Sequence, residues 1–291
     1  MATRFHWEAI GTHWQIDLAT TLSVPVEASV QAAVRKVIAD YDQLYSRFRV
    51  DSLVRRMASQ AGRYHLPEHA RDLFGLYHQL YHCTAGAFTP LIGRTLEQAG
   101  YDAQYSLQST QLEIPPTWET VIDYQAPDIV LKQPAVLDFG AGGKGQLVDL
   151  VAATLEQFGI SDYCIDAGGD IRQRSAIAQS LRVGLEDPMD TTKAIGVVEL
   201  ANQSICGSAG NRRAWGQYHH ILNPHTLQSP RDIAATWVVA DTTLLADALA
   251  TALYFVQPEQ LQSVCTFEYV LLRSNYQAEI SSNFPGEVFK F

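Results

Sequence analysis

A glycine-rich segment followed directly by an amphipathic helix is the part of this sequence best suited to hold a phosphate. Residues 137–145 read LDFGAGGKG, and from Gln146 onward apolar residues recur at helical spacing. Glycine lets the backbone take positive φ and approach a ligand closely, and the unpaired N–H groups at a helix N-terminus favour an anion. Lys144 adds one cation. The alternative is an ordinary tight turn before a surface helix, because the spacing matches neither the Walker loop nor the dinucleotide fingerprint.

Two oxygen-bearing side chains further along the chain are suited to a hard cation. Asp247 and Thr251 are four residues apart within a predicted helix over residues 242–255, so their side chains share one face. A carboxylate and a hydroxyl on one face are ligands that suit Mg²⁺. Taken alone, such a pair is more often a polar stripe on an amphipathic helix.

Two adjacent histidines supply the candidate general base. Imidazole titrates near neutral pH and can take a proton from a hydroxyl, so we expect activity to fall below about pH 6.5 as the ring is protonated. His219 and His220 lie in a predicted strand over residues 218–222. Since side chains alternate along a strand, only one of the two rings can face a site, and the other packs elsewhere.

A glycine pair and a loop phenylalanine are further candidates for ligand contact. Gly168 and Gly169 follow a predicted strand, between Asp166 and Asp170, where glycines mark a bulge or a close approach to a ligand. The alternative is a plain exit from the strand, with Asp170 capping the turn. Phe88 lies in a loop rich in small residues, where it either stacks on a ring system or packs into the core.

Composition and charge narrow the class of protein. The chain has 291 residues, 47% of them hydrophobic, and carries 31 acidic against 21 basic residues, a net charge of −10. An acidic chain fits nucleic acid poorly, so nucleic acid is not an expected partner. The sequence has no apolar run of membrane-spanning length and no signal-peptide pattern, so we expect a cytoplasmic protein without a membrane span, unless an export segment is missing from this sequence. The four cysteines are widely separated, which argues against a zinc or redox motif.

The predicted elements indicate an α+β fold, because strands and helices mix without regular βαβ alternation. Periodicity predicts a hairpin over residues 4–18 and helices over residues 25–44, 67–82, 146–159 and 242–255, with Pro67 in the first turn of the second helix. Strands are predicted over residues 162–167, 181–186, 194–200, 204–208, 218–222 and 235–240, with edge strands over 266–273 and 277–281. Residues 83–93 are predicted as a loop, and residues 101–136 as irregular chain with short strands.

The order and spacing of these segments resemble the ApbE family of FAD:protein FMN transferases. That family commonly reads LDLGGIAKG, NAGGDIR, HIIDPRTG and ADALATA, and this chain reads LDFGAGGKG, DAGGDIR, HHILNPHTL and ADALATA in the same order, after SRF at residues 46–48 and GAFTP at residues 86–90. The resemblance spans residues 11–255. It implies a single domain over residues 1–291 with the ApbE-type, T-fold-like α+β fold, in which mainly antiparallel sheets pack against helices.

The resemblance also implies a function and a set of site residues. The function is a Mg²⁺-dependent transfer of FMN from FAD to a Thr or Ser hydroxyl of an acceptor protein, with AMP released. The implied metal ligands are the carbonyl of Gly143 and the side chains of Asp247 and Thr251, and the implied base is the histidine before Ile221, which is His220. The residues that match flavin-binding segments of the family are Gly11, Thr12, Ser46, Phe48, Phe88, Lys144, Gly145, Gly168, Gly169, Asp170 and Ser208.

Several positions depart from the family pattern, and four of them change the chemistry of two segments. Asn223, His225 and Leu227 stand where HIIDPRTG has Asp, Arg and Gly, and Thr89 stands where GAFDP has Asp. Losing that carboxylate and guanidinium removes an ion pair and a fork donor suited to phosphate. Two other functions therefore stay open: an FAD pyrophosphatase that releases FMN and AMP, and a non-catalytic FAD-binding homologue.

Overall fold

The computed structural model describes residues 3–177 and 179–289. The strands, in chain order, are β1 (Thr3–Ala9), β2 (Thr12–Leu18), β3 (Gly62–His65), β4 (Ile122–Gln125), β5 (Asp128–Leu131), β6 (Tyr163–Ala167), β7 (Ile171–Arg174), β8 (Leu181–Glu186), β9 (Ala194–Leu200), β10 (Ser204–Ala209), β11 (Ala214–Trp215), β12 (Tyr218–His219), β13 (Ile233–Ala240), β14 (Glu268–Arg273), β15 (Ala278–Ile280) and β16 (Gly286–Val288). The α-helices are α1 (Val24–Tyr45), α2 (Leu53–Met57), α3 (Ala70–Cys83), α4 (Gly93–Gln98), α5 (Trp118–Val121), α6 (Gly143–Gln157), α7 (Thr243–Ala252) and α8 (Pro258–Gln262). Short 3₁₀-helices cover Pro90–Ile92 and Gly210–Arg213.

One large antiparallel sheet forms the centre of the fold. Its strand order is β1-β2-β6-β7-β10-β13-β14-β15, with each neighbouring pair antiparallel. Smaller antiparallel sheets have the orders β16-β9-β8, β3-β5-β4 and β11-β12. The α+β class with mainly antiparallel sheets, predicted from the sequence, is confirmed.

The large sheet buries side chains on both faces. On one face, Trp14 of β2 belongs to the same hydrophobic cluster as Val151 of α6. On the other face, Val239 of β13 shares a cluster with Val198 of β9, whereas its neighbour Val238 belongs to the helix-side cluster. Side chains alternate across a strand, so a strand covered on both faces reads as a nearly continuous apolar run, as IAATWVVA does in β13.

Helices α6 and α7 pack against each other and carry several of the candidate site residues. The N-terminus of α7 is capped by two side chains. The Thr242 hydroxyl accepts a hydrogen bond from the N–H of Leu245 at 3.2 Å. The Asp149 carboxylate of α6 accepts from the N–H groups of Thr243 at 3.0 Å and Leu244 at 2.9 Å. These caps pair amides that a helix start leaves unpaired, and they fix α7 relative to α6.

Most predicted elements are present, with shifted ends and three corrections. Pro67 precedes α3, which begins at Ala70, because residues 68 and 69 form a turn. The strand predicted over residues 218–222 ends at His219. β14 is an interior strand between β13 and β15, not an edge strand. Several short elements were not predicted, since so few residues carry little periodicity: α2, β3, α4, α5, β7, β11, α8, β16 and the two 3₁₀-helices.

The longest helix, α1, has 22 residues and includes Glu27, Arg35 and Lys36. Within residues 3–177 and 179–289, no helix has both the length and the hydropathy needed to cross a membrane.

Candidate functional site

A cleft of about 1170 Å³ gathers most of the predicted site residues. It lies where the tip of the β1–β2 hairpin, the loop after α1, the N-terminus of α6 and one face of α7 meet. The predicted residues that line it are Gly11, Thr12, Ser46, Phe48, Phe88, Gly143, Lys144, Gly168, Gly169, Ser208, His220, Asp247 and Thr251. Gly145 and Asp170 are not among the residues that line it.

Gly145 lies at the contact between α6 and α7. A Cβ atom at this position would lie 2.2 Å from the carbonyl oxygen of Thr243 and 2.8 Å from the Cβ of Asp247. The Gly145 N–H donates to the Oδ2 of Asp247 at 2.9 Å. Glycine therefore lets the first turn of α6 touch α7, and its amide holds the Asp247 carboxylate. A side chain at this position would therefore clash with α7.

Lys144 and Asp170 form an ion pair at the start of α6. The Lys144 Nζ is 2.5 Å from the Asp170 Oδ2 and donates to the Ala167 carbonyl at 3.1 Å. Burial works to lower the pKa of Lys144, but the carboxylates of Asp170 and Asp247 outweigh it and raise that pKa. Burial raises the pKa of Asp170, which is only 1% exposed, against the opposing effect of Lys144. Asp170 thus holds the lysine that lines the cleft instead of lining it itself.

The turn between β6 and β7 needs both of its glycines. Gly168 has φ +65°, and a Cβ there would lie 1.9 Å from the Thr12 hydroxyl at the tip of the β1–β2 hairpin. Gly169 has φ +97° and open space on its Cβ side. The Asp166 carboxylate, not Asp170, accepts the N–H of Gly169 at 2.8 Å and closes the turn. The glycine pair therefore keeps this wall of the cleft free of side chains.

Asp247 and Thr251 line the cleft from successive turns of α7. Asp247 is 6% exposed, and burial raises its pKa to about 8, with Asp170 adding to the rise and Lys144 opposing it. The Thr251 hydroxyl is 3.3 Å from the Ser208 hydroxyl on β10. In the described ranges, no three His, Cys, Asp or Glu side chains are grouped to hold a metal ion. A metal site here would therefore combine one carboxylate with hydroxyl and carbonyl oxygens, a donor set that suits Mg²⁺.

The two histidines have different surroundings. The His219 ring uses both nitrogens: Nε2 is 2.8 Å from the Pro230 carbonyl, and Nδ1 accepts the N–H of Ile221 at 3.2 Å. His220 lines the cleft, and its Nδ1 is buried without a hydrogen-bond partner among the described residues. Burial lowers the pKa of His220 to about 3, and the charge of Arg213 contributes. The neutral form of this ring is therefore favoured at ordinary pH in the free protein, unlike the unperturbed imidazole from which the loss of activity below pH 6.5 was expected.

Two of the departures from the family pattern make ordinary local contacts. The Asn223 Oδ1 accepts two backbone N–H groups of the following turn, at 2.9 and 3.2 Å, as an aspartate would. The His225 Nε2 is 3.1 Å from the Ala85 carbonyl, so this ring packs on the loop that follows α3. Neither position is among those that line the cleft.

The other two departures, Thr89 and Leu227, differ in their conformational free-energy cost. The Thr89 hydroxyl accepts the N–H of Leu91 at 3.2 Å and caps the 3₁₀-helix that follows. Leu227 has φ +57°, a left-handed conformation that costs a side-chain-bearing residue about 1–2 kcal/mol and that glycine adopts freely. Glycine in the family pattern is explained by this left-handed conformation, which Leu227 adopts here at a cost in free energy.

The two phenylalanines proposed for flavin contact lie in different environments. Phe88 is 2% exposed and its ring centroid is 4.8 Å from that of Tyr77, which agrees with the core-packing alternative. Phe48 is half-buried, and its ring stacks on Tyr105 with centroids 5.6 Å apart and planes 14° apart. Tyr101 contacts the Phe48 ring edge to face at 5.4 Å. The cleft therefore has an aromatic end around Phe48.

Sequence reasoning missed several polar residues of the cleft. Arg47, Asp138, Tyr101 and Arg213 line it, and none had been assigned a role. Arg47 is 3% exposed and donates through Nε to the Asp138 carboxylate, while Arg213 donates to the Tyr101 hydroxyl at 2.8 Å. The sequence did contain one indication that Arg47 lines the cleft: it lies between Ser46 and Phe48, which were both expected to contact the flavin.

Comparison with known proteins assigns the chain to a family. The profile described as the ApbE family matches residues 10–270. The chain is 25% identical to the FAD:protein FMN transferase of Klebsiella pneumoniae, in an alignment that covers 90% of this chain and 81% of that protein. It is 29% identical to the FAD:protein FMN transferase of Rhodobacter capsulatus over 58% of this chain, a stretch that spans only 35% of that protein. The crystal structure of the ApbE protein from Thermotoga maritima superposes with a TM-score of 0.82 at 20% identity, covering 99% of this chain and 100% of that one. The chain therefore belongs to the ApbE family.

Proposed function

We propose that this protein is an FAD:protein FMN transferase that uses Mg²⁺ to move FMN from FAD to a Thr or Ser hydroxyl of an acceptor protein. The observation that carries the proposal is the grouping of Asp247, Thr251, Lys144 and His220 around one cleft, in a chain whose relatives bear that name. A carboxylate and hydroxyl for a metal, a cation for a phosphate and a neutral imidazole are the groups that phosphoryl transfer to a hydroxyl needs.

The residues around Asp247 fit a magnesium ion. Its carboxylate is buried, and burial raises its pKa to about 8 despite the nearby Lys144, so a bound cation would stabilise the ionised form. The Thr251 hydroxyl and the carbonyl of Gly143 would complete the protein ligands. When bound, the ion would neutralise charge on the FAD pyrophosphate and make the departing AMP a better leaving group.

The proposed transfer of FMN forms one phosphorus–oxygen bond and breaks another. The acceptor hydroxyl oxygen bonds to the phosphorus that carries the FMN half, and the bond from that phosphorus to the bridging oxygen breaks, so that AMP leaves with the bridging oxygen. His220 would take the hydroxyl proton, since its ring is neutral and its Nδ1 has no partner among the described residues. The low pKa of this buried ring disfavours its protonated form in the free protein, and the negative phosphates of bound FAD would stabilise that form. Lys144, held by Asp170, would stabilise phosphate charge.

We further propose that residues 1–291 act as one domain. The support is the connectivity of the large sheet, whose strands come from chain segments between Thr3 and Ile280. A cut anywhere between β2 and β14 would separate strands of the same sheet.

Incubation with FAD and Mg²⁺ tests the proposed function. The transferase predicts AMP together with FMN covalently attached to an acceptor protein that carries a Thr or Ser. AMP with free FMN in the presence of the acceptor would indicate a pyrophosphatase instead, and unchanged bound FAD would indicate a binding protein. Chelation of Mg²⁺ by EDTA should stop AMP release, and Asp247→Asn serves as the matched inactive protein.

A further inference from the structure

Arg47 is a buried arginine with two donor nitrogens that no described residue pairs with. Its side chain is 2% exposed, and its Nε donates to the Asp138 Oδ2. Nη1 and Nη2 are buried, and neither has a hydrogen-bond partner among the residues that the structure describes. Buried unpaired donors cost free energy, and Arg47 lines the cleft, so these two nitrogens are suited to a ligand.

The position of the guanidinium is fixed on three sides. The Asp138 Oδ1 also accepts the N–H of Gly140 at 2.7 Å, so this ion pair joins the loop after α1 to the glycine-rich loop before α6. The guanidinium carbon lies 4.2 Å from the Phe48 ring centroid and 4.9 Å from that of Tyr101. A guanidinium held in this way presents its two remaining nitrogens as a preorganised pair of donors.

The surroundings favour a flat ring over a phosphate as the partner of this donor pair. The Arg47 charge is already balanced by Asp138 at hydrogen-bond distance. Other groups of the cleft are better suited to phosphate, among them Lys144 at the N-terminus of α6, Arg213 and a cation at Asp247. Around Arg47 the cleft wall is aromatic and includes Phe48 and Tyr101.

We infer that Arg47 binds the pyrimidine edge of the isoalloxazine ring of FAD, donating from Nη1 and Nη2 to the adjacent acceptors N1 and O2. This inference rests on the proposed function, because it names how the flavin half of that substrate is held. N–H donors beside N1 and O2 also stabilise the negative charge that a flavin acquires there on reduction, even though Asp138 balances the net charge of the guanidinium. Bound flavin should therefore have a higher reduction potential with Arg47 present than without it.

Binding of three probes tests this assignment. We would measure the Kd of riboflavin, FAD and ADP in the parent and in Arg47→Lys. This substitution keeps the positive charge opposite Asp138 and removes the paired Nη1 and Nη2 donors of the guanidinium. Riboflavin and FAD should bind on the order of tenfold more weakly or worse, while ADP binding stays unchanged. The reduction potential of the bound flavin should fall in Arg47→Met/Asp138→Asn, a pair that leaves no unbalanced buried charge. Arg56→Met is the matched control, since Arg56 is exposed and contacts the Tyr64 ring outside the cleft.

The outcomes separate this inference from the proposed function. Unchanged riboflavin binding in Arg47→Lys, in a parent that binds riboflavin and FAD, would overturn the assignment of Arg47 alone. Weaker FAD and ADP binding with unchanged riboflavin binding would also overturn it, because Nη1 and Nη2 of Arg47 would then bind a phosphate. A parent protein that binds neither riboflavin nor FAD would contradict the proposed function as well.

Discussion

Replacement of Gly145 by alanine tests how the candidate site is assembled. A Cβ at this position would lie 2.2 Å from the Thr243 carbonyl oxygen and 2.6 Å from its carbonyl carbon, both backbone atoms of α7. The helices must separate by roughly 1 Å to restore ordinary van der Waals distances. Overpacking of this kind costs about 1–3 kcal/mol, and weakening the hydrogen bond from the Gly145 N–H to the Asp247 carboxylate costs up to about 1.5–3 kcal/mol more.

The measurement is thermal unfolding, with Gly75→Ala as the matched control. At roughly 2–4 °C per kcal/mol for a domain somewhat smaller than this one, Gly145→Ala should lower the Tm by on the order of 10 °C. Gly75 is an exposed residue of α3, and an added Cβ there meets nothing within 4 Å, so Gly75→Ala should gain about 0.5–1 kcal/mol in helix stability. A Gly145→Ala protein that melts like the parent would refute the close contact between α6 and α7.

The remaining predictions concern the metal, the base and pH. Asp247→Asn should abolish Mg²⁺-dependent AMP release while the protein stays folded, since an amide oxygen can still accept the Gly145 N–H; full activity in the folded variant would contradict the metal assignment. Asp247→Ala should also destabilise the fold by about 1–3 kcal/mol, because that N–H loses its partner. His220→Ala should bind FAD like the parent and transfer FMN on the order of 10²–10⁴ more slowly, whereas His219→Ala should mainly lower stability; the reverse pattern would exchange their roles. The pKa of His220 is lowered to about 3, so its neutral form persists as pH falls from 7 to 5. We therefore expect no decrease of kcat/KM near pH 6.5 from this ring. Such a decrease in the parent, absent in His220→Ala, would contradict this prediction.

The sequence predicted those features that depend on local periodicity. Helix α1, predicted over residues 25–44, spans Val24–Tyr45, and the strands predicted over residues 181–186 and 194–200 have those bounds. The resemblance to the ApbE family brought together residues far apart in the chain, such as Lys144 and Asp247, which line the same cleft.

The remaining features depend on contacts that no local pattern reports. Gly145 meets α7, which lies about a hundred residues further along the chain, so its role was assigned to the ligand instead. Arg47 lies 91 residues from its partner Asp138, and only the fold reveals that two of its nitrogens are buried without a hydrogen-bond partner in the described part of the chain. The pKa of His220 depends on its burial and on Arg213, which a reference value for histidine does not include.

The central claim is tested most directly by mass spectrometry of a Thr- or Ser-bearing acceptor protein co-expressed with this chain. We predict that the acceptor gains the mass of one FMN less one water, on a single Thr or Ser, and that the gain is absent when Asp247→Asn replaces the parent. An acceptor that is unmodified by the parent, while the parent converts FAD to AMP and free FMN, would contradict the transferase and favour the pyrophosphatase.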